Sequence, residues 1–258
     1  HKLSKYNENS NVRQLKNFDS ETDIDEYSTH LNSLKHDNCS FNEIEIIRRA
    51  TIDIDFNMLY LTASNLMSIY YDVSFKLIDL LKLKTKDSQS SKLLEEILEK
   101  NPLENGRAAC IFHLLHAVFI PTAKKSTRND KGKKSTIKYS IRDSQQSFLI
   151  NIDTVSQFED VIVKKKGLGI PIQPFTVVIG QLLEPKYIIV YFDDIKYKVL
   201  TIQRAVDVVF KLFHTFNLLY PDESYILWLF IQTFFYNIHI KTDQSHPIIS
   251  LIISELNK

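Results

Sequence analysis

Apolar residues change their spacing along this chain, and the changes divide it into elements. Phe175 to Ile179 and Tyr187 to Phe192 are unbroken runs of β-branched and aromatic residues, which strands favour. Ile195 to Val199 alternates, with Asp193 and Asp194 as the turn before it. From Thr201 the spacing becomes helical. Ile202, Ala205, Val209, Leu212, Phe213 and Phe216 recur on one side, with Arg204, Asp207, Lys211 and His214 on the other. Pro221-Asp-Glu-Ser224 suits the start of a second long helix running to Ile238, since Pro and acids favour a first turn. That helix is apolar almost all round, and a short closing helix runs from His246 to Leu256. Upstream, Ser147 to Ile152 reads as a strand. Ser156 and Glu159 have capping-box spacing for a helix that ends at Gly167 behind three lysines.

The first half is helical in pattern. Ser40 and Glu43 have capping-box spacing ahead of Ile44, Ile47 and Ile52. One long helical pattern covers Asp53 to Lys84, with a break expected near Tyr71 to Ser74. Ser91 to Lys100 and Arg107 to Phe119 are shorter helices, the first stopped by Asn101-Pro102 because the residue before Pro avoids helical angles. The division expected is a flexible polar lead-in at 1–40, a helical region at 41–120, a solvated basic loop at 121–140 and an α+β region at 141–258. The fold class expected is α+β: a helical N-terminal half plus a small, mainly antiparallel sheet packed by two long C-terminal helices.

Composition narrows the function classes. At 44% hydrophobic and 24% charged the chain is ordinary globular material. Its 32 Lys and Arg against 31 Asp and Glu give no global pull toward polyanions. Only five Gly occur. Gly167 and Gly169, the one close pair, lack the rest of a dinucleotide or P-loop fingerprint. Two cysteines, Cys39 and Cys110, are too few for a disulfide framework, so a reducing compartment is the simpler reading. The run Tyr225 to Phe235 is broken by Gln232 and Thr233 and falls short of the ~20 residues of a membrane span. Opening on His1, the chain reads as an excised domain.

Candidate chemistry is sparse. His113 and His116 are three apart on a helix, a spacing that can hold one metal ion, but no third ligand is near, so a hydrogen-bonded pair is preferred. His30, His36 and Cys39 match no zinc-finger spacing. Asp193 and Asp194 follow a hydrophobic strand, where nucleases place divalent-metal ligands, and Glu184 and Lys186 lie one element earlier. A nuclease would need both sets in one cleft. No cofactor motif and no catalytic nucleophile are found, so a non-enzyme is favoured. The cations of the basic run, Lys124, Lys125, Arg128, Lys131, Lys133, Lys134 and Lys138, suit phosphate contact or nuclear import. Tyr225, Trp228, Phe235 and Tyr236 form a second candidate surface, because dense aromatics are enriched at interface hot spots, although they also suit a core.

Several segments together carry a resemblance. They are Ala109 to Leu115 before a basic run, Ser144 to Leu149, Gln173 to Gly180, Tyr187 to Phe192, Arg204 to Phe213, Phe216 to Pro221 and Trp228 to Ile238. Over roughly residues 107–240 the order resembles a set of uncharacterised animal proteins, some labelled sterile-alpha-motif domain-containing 3-like and often associated with mobile elements. The resemblance implies a shared domain, and neither an activity nor catalytic residues. The function expected is a non-catalytic protein-interaction or scaffold domain of a nuclear, transposon-related or gene-regulatory protein. It would have a protein partner or self-association, no cofactor and no membrane contact, in an intracellular, nuclear setting. The alternatives are a divalent-metal-dependent nuclease or transposase-like enzyme using Asp193 or Asp194, and a nucleic-acid-binding module without catalysis.

Overall fold

In a computed structural model, residues 46–128, 134–167, 169 and 172–258 are described. Expectations for 1–45, including Ser40, His30, His36 and Cys39, lie outside the described residues. The chain from Ile44 onward forms one unit.

Four helices open it: α1 (Ile46–Leu59), α2 (Leu66–Lys84), α3 (Ser88–Lys100) and α4 (Glu104–Val118). The break expected at Tyr71 to Ser74 falls instead between Leu59 and Leu66. Asn65 adopts extended angles and accepts the backbone N–H of Met67, which starts a new helix. Ser64 is tied to the carbonyl of Tyr236 at 3.0 Å, so the chain cannot continue straight. Tyr71 to Ser74 stays helical. The start of α3 is set by Asp87, which caps Ser90 N–H at 2.9 Å, three residues before the expected start. Helix α4 is buried along nearly its whole length. It approaches the sheet so closely that a Cβ on Gly106 would lie 1.8 Å from the Leu183 carbonyl oxygen.

Two strands follow, β1 (Lys124–Arg128) and β2 (Lys134–Lys138), paired only with each other among the described residues. Then come α5 (Ile141–Phe148), β3 (Leu149–Ile152), α6 (Gln157–Lys166), β4 (Phe175–Gln181), β5 (Glu184–Phe192) and β6 (Ile195–Val199). The second sheet runs β3-β4-β5-β6. Its last three strands are antiparallel, but β3 is parallel to β4, so α6 serves as the crossover that parallel strands require. The expected strand at Ser147 begins only at Leu149, since the preceding residues complete α5. The Ser156 capping box does not form: Gln157 Oε1 instead accepts Asp153 N–H at 2.9 Å and Thr154 N–H at 3.2 Å. Gly167 stays right-handed, and Gly169 takes the left-handed turn at φ 67°.

Strand β4 is buried on both faces. Val178, Ile188, Val190 and Tyr197 join the main core, while on the other face Phe158 of α6 meets Tyr191 with ring centroids 6.1 Å apart. Helix α7 (Ile202–Thr215), capped by Thr201 on Arg204 N–H, lies between the sheet and the N-terminal helices. The second long helix is shorter than expected. Pro221 to Ser224 form a turn, because the Ser224 hydroxyl is engaged by Ser147 at 2.8 Å rather than capping a helix. Helix α8 (Tyr225–Phe230) passes into a π-helical turn, Ile231–Phe235, and α9 (Pro247–Leu256) packs on α2. The architecture is α+β. Among the described residues no helix is long and apolar enough to cross a membrane.

Candidate nucleic-acid interface

The basic run from 121 to 140, expected as a loop, is built around the β1–β2 hairpin. Its strands read Lys-Lys-Ser-Thr-Arg and Lys-Ser-Thr-Ile-Lys, and Thr favours a pleated backbone. The intervening sequence holds Asn129, Asp130 and Gly132, turn-forming residues that lie outside the described residues together with Lys131 and Lys133. This repeated Lys-Ser-Thr around a turn sequence was the available signal. It was obscured because no hydrophobic alternation accompanies it.

The register sets Lys124 opposite Lys138, Ser126 opposite Thr136, and Arg128 opposite Lys134. Directly opposed residues share a face, so Lys124, Ser126, Thr136 and Lys138 stand together and exposed. Lys125 and Ile137 occupy the other face. Lys125 is turned inward: its ammonium is 3.3 Å from Asp143 Oδ1 and 5.4 Å above the Tyr139 ring. This removes Lys125 from the expected set of phosphate contacts and makes it an anchor. Asp143 is itself fixed by the capping box of α5, accepting Ser140 O–H at 2.7 Å and Ser140 N–H at 2.8 Å. Those hydrogen bonds, with Lys125, hold its carboxyl below the usual carboxylate range. Among the described residues no ion pair engages Lys124, Lys134 or Lys138. The hairpin is thus pinned through one face and presents cations on the other.

The aromatic surface is corrected. Trp228, Phe235 and Tyr236 are buried, with Trp228 1% exposed and 4.5 Å from the Phe148 ring. Tyr225 is half-buried against Tyr220 and His246. With α8 short and its flank covered by α5 and α7, these rings form core rather than a partner face.

The carboxylates expected for a nuclease are kept apart. Asp193 and Asp194, at φ 49° and 61°, form a two-residue turn of the kind whose twist suits hairpins. Asp194 accepts from Lys166 at 2.7 Å and Tyr191 at 2.6 Å, which hold its carboxyl below the usual range. Glu184 starts β5 and Asp193 follows its end, roughly 30 Å apart at strand rise. Among the described residues no group of three His, Cys, Asp or Glu is placed to hold a metal.

His116 is fully buried, with Nδ1 2.6 Å from Ser144 Oγ. Burial pushes His113 down to about 4 and His116 well below its ordinary value, so both are neutral near pH 7. A cleft of about 330 Å³ lies beside the foot of the hairpin, between His113 and the first turns of α3 and α5. Asp87 there caps its own helix through Oδ1 and Ser140 is held by Asp143, while Asp87 Oδ2 and His113 Nδ1 are buried without a hydrogen-bond partner.

One polar cluster escaped the sequence. Asp207, placed on the polar side of its helix, is 2% exposed. It accepts from Tyr236 O–H at 2.6 Å, Lys211 Nζ at 2.9 Å and Arg204. Asp53 of α1 binds the same two cations. Burial opposes ionisation of Asp53, but Arg204 and Lys211 outweigh it and hold the carboxyl below its usual range. Every charge here has a partner, so the cluster reads as a clamp between α1 and α7. No protein-family model, curated protein or solved structure matches the chain.

Proposed function

We propose that the chain is a non-catalytic nucleic-acid-binding module that contacts phosphates through the β1–β2 hairpin. The observation that supports this most is the register. It sets Lys124 against Lys138 and Arg128 against Lys134. Like charges directly opposed weaken a strand pair, so the arrangement works against the hairpin alone and favours it beside a polyanion. The pinning of the hairpin by Lys125 on Asp143 supports the same reading, because it directs the remaining cations to solvent. Such binding suits the nuclear, transposon-related or gene-regulatory setting expected from the basic run and the resemblance together.

The test is anisotropy of a labelled 20-bp duplex titrated with the chain at several salt concentrations. Phosphate contacts by Lys124, Lys134 and Lys138 correspond to a log–log salt slope of about −3, from ~0.9 per contact. Lys124→Glu with Lys138→Glu lowers affinity at least tenfold and flattens the slope by about 2. Affinity indifferent to salt between 50 and 200 mM, or to the double reversal, overturns the proposal.

A further inference from the structure

Resting on that reading, we infer that the hairpin recognises B-form duplex DNA by lying across the major groove. Three features of the exposed face point there. The first is its chemistry. Lys124 and Lys138 stand at the foot of the hairpin, positions 128 and 134 carry Arg and Lys at the far end, and the hydroxyls of Ser126 and Thr136 lie between them. Cations that flank short polar side chains match an interface in which phosphate contacts position and groove contacts read base edges.

The second is span. Four residues along a strand cover about 13–14 Å, and the major groove is about 12 Å wide. Register positions 124/138 and 128/134 therefore stand as far apart as the two sides of one groove, with the hydroxyls of Ser126 and Thr136 between them. A two-stranded ribbon fits this groove. The minor groove, about 6 Å wide, is too narrow for it, and the major groove of an RNA duplex is too narrow and deep.

The third is the lack of a stacking surface. Unpaired strands are held on aromatic platforms. No aromatic residue occurs in either hairpin strand, and the neighbouring Tyr139 ring is already covered by Lys125 at 5.4 Å. The face offers charge and hydroxyls to a regular double helix and nothing for a splayed base to stack upon.

The experiment compares the chain's affinity, at one salt concentration, for a 20-bp DNA duplex, each of its single strands, the RNA duplex of the same sequence, a DNA duplex bearing bulky major-groove substituents, and anionic phospholipid vesicles. The expected result is binding to plain duplex DNA at least tenfold tighter than to any other probe. The paired change Ser126→Ala with Thr136→Ala is expected to alter sequence preference and leave the salt slope unchanged. Equal or tighter binding to single strands or RNA duplex, or insensitivity to the major-groove substituents, overturns the groove assignment and leaves phosphate binding standing. No binding to any nucleic acid, or equal binding to vesicles, overturns both.

Discussion

Removing the Asp207 carboxylate tests whether the buried cluster is a clamp. Breaking a buried ion pair by deleting one partner costs about 3–5 kcal/mol when the other charge is stranded. Here Asp53 still reaches Arg204 and Lys211, so neither cation is left alone. The Tyr236 hydroxyl is left alone, and a buried hydroxyl without a partner costs about 1–3 kcal/mol. Asp207→Ala is therefore expected to cost about 3 kcal/mol, near the lower end of the ion-pair range. Tyr236→Phe keeps the ring stacked on Phe210 at 3.9 Å and leaves Asp207 its two cations, so it costs about 1 kcal/mol. Combined with Asp207→Ala, Tyr236→Phe removes a hydroxyl that has no partner and becomes neutral or stabilising. The double-mutant cycle should therefore show coupling of about 1–2 kcal/mol. Urea unfolding reports it through Trp228, the single tryptophan, buried beside Phe148 and Phe213. Additivity within about 0.5 kcal/mol, or an Asp207→Ala cost below about 1 kcal/mol, refutes the clamp.

Two further predictions follow from the interior. Gly106→Ala gains up to about 1 kcal/mol in helix propensity, yet its Cβ meets the Leu183 backbone at 1.8 Å, so a net loss of about 1–2 kcal/mol is expected from overpacking; a raised urea midpoint contradicts that close approach. Burial pushes His113 and His214 down to about 4, below the ~6.5 of an unfolded chain. Their contribution is complete above pH 6.5 and is lost as pH falls toward 4, because the unfolded chain binds those protons first. Between pH 6.5 and 5 each costs about 2 kcal/mol, and urea midpoints that do not fall over this range show that the rings are not held neutral.

The parts of the fold legible in the sequence are those whose reasons are local. Period-two and unbroken apolar runs marked β4, β5 and β6, and Thr201 marked the start of α7 through one side chain on one N–H. What escaped was decided by distant partners. The turn after α1 depends on Asn65 and on a backbone bond from Ser64 to Tyr236, far along the chain. Ser224 caps nothing because Ser147, 77 residues earlier, takes its hydroxyl. Asp207 read only as part of the polar side of its helix, since helical spacing cannot show that Asp53 and Tyr236 arrive to cover it. For the interface, the basic residues were visible as a run, but only the strand register separates Lys125, an anchor, from Lys124 and Lys138, which face outward.

That register also changes the meaning of the charge balance. A net charge of +1 argued against any pull toward polyanions. The ten strand residues of the hairpin carry Lys124, Lys125, Arg128, Lys134 and Lys138 and no acid, a charge of +5; subtracting it from +1 leaves −4, which is the balance of residues 1–45 alone, with 5 Lys and Arg against 9 Asp and Glu. The balance is therefore a segregation. Residues 46–258 outside the hairpin strands sum to zero, so on the proposed reading the hairpin is where a polyanion would meet net positive charge. Neutralising acids among residues 1–45 should then strengthen binding without sharpening its sequence preference, whereas reversing Lys124 and Lys138 lowers affinity at least tenfold. An even scatter of the same charges would make the two kinds of change equivalent.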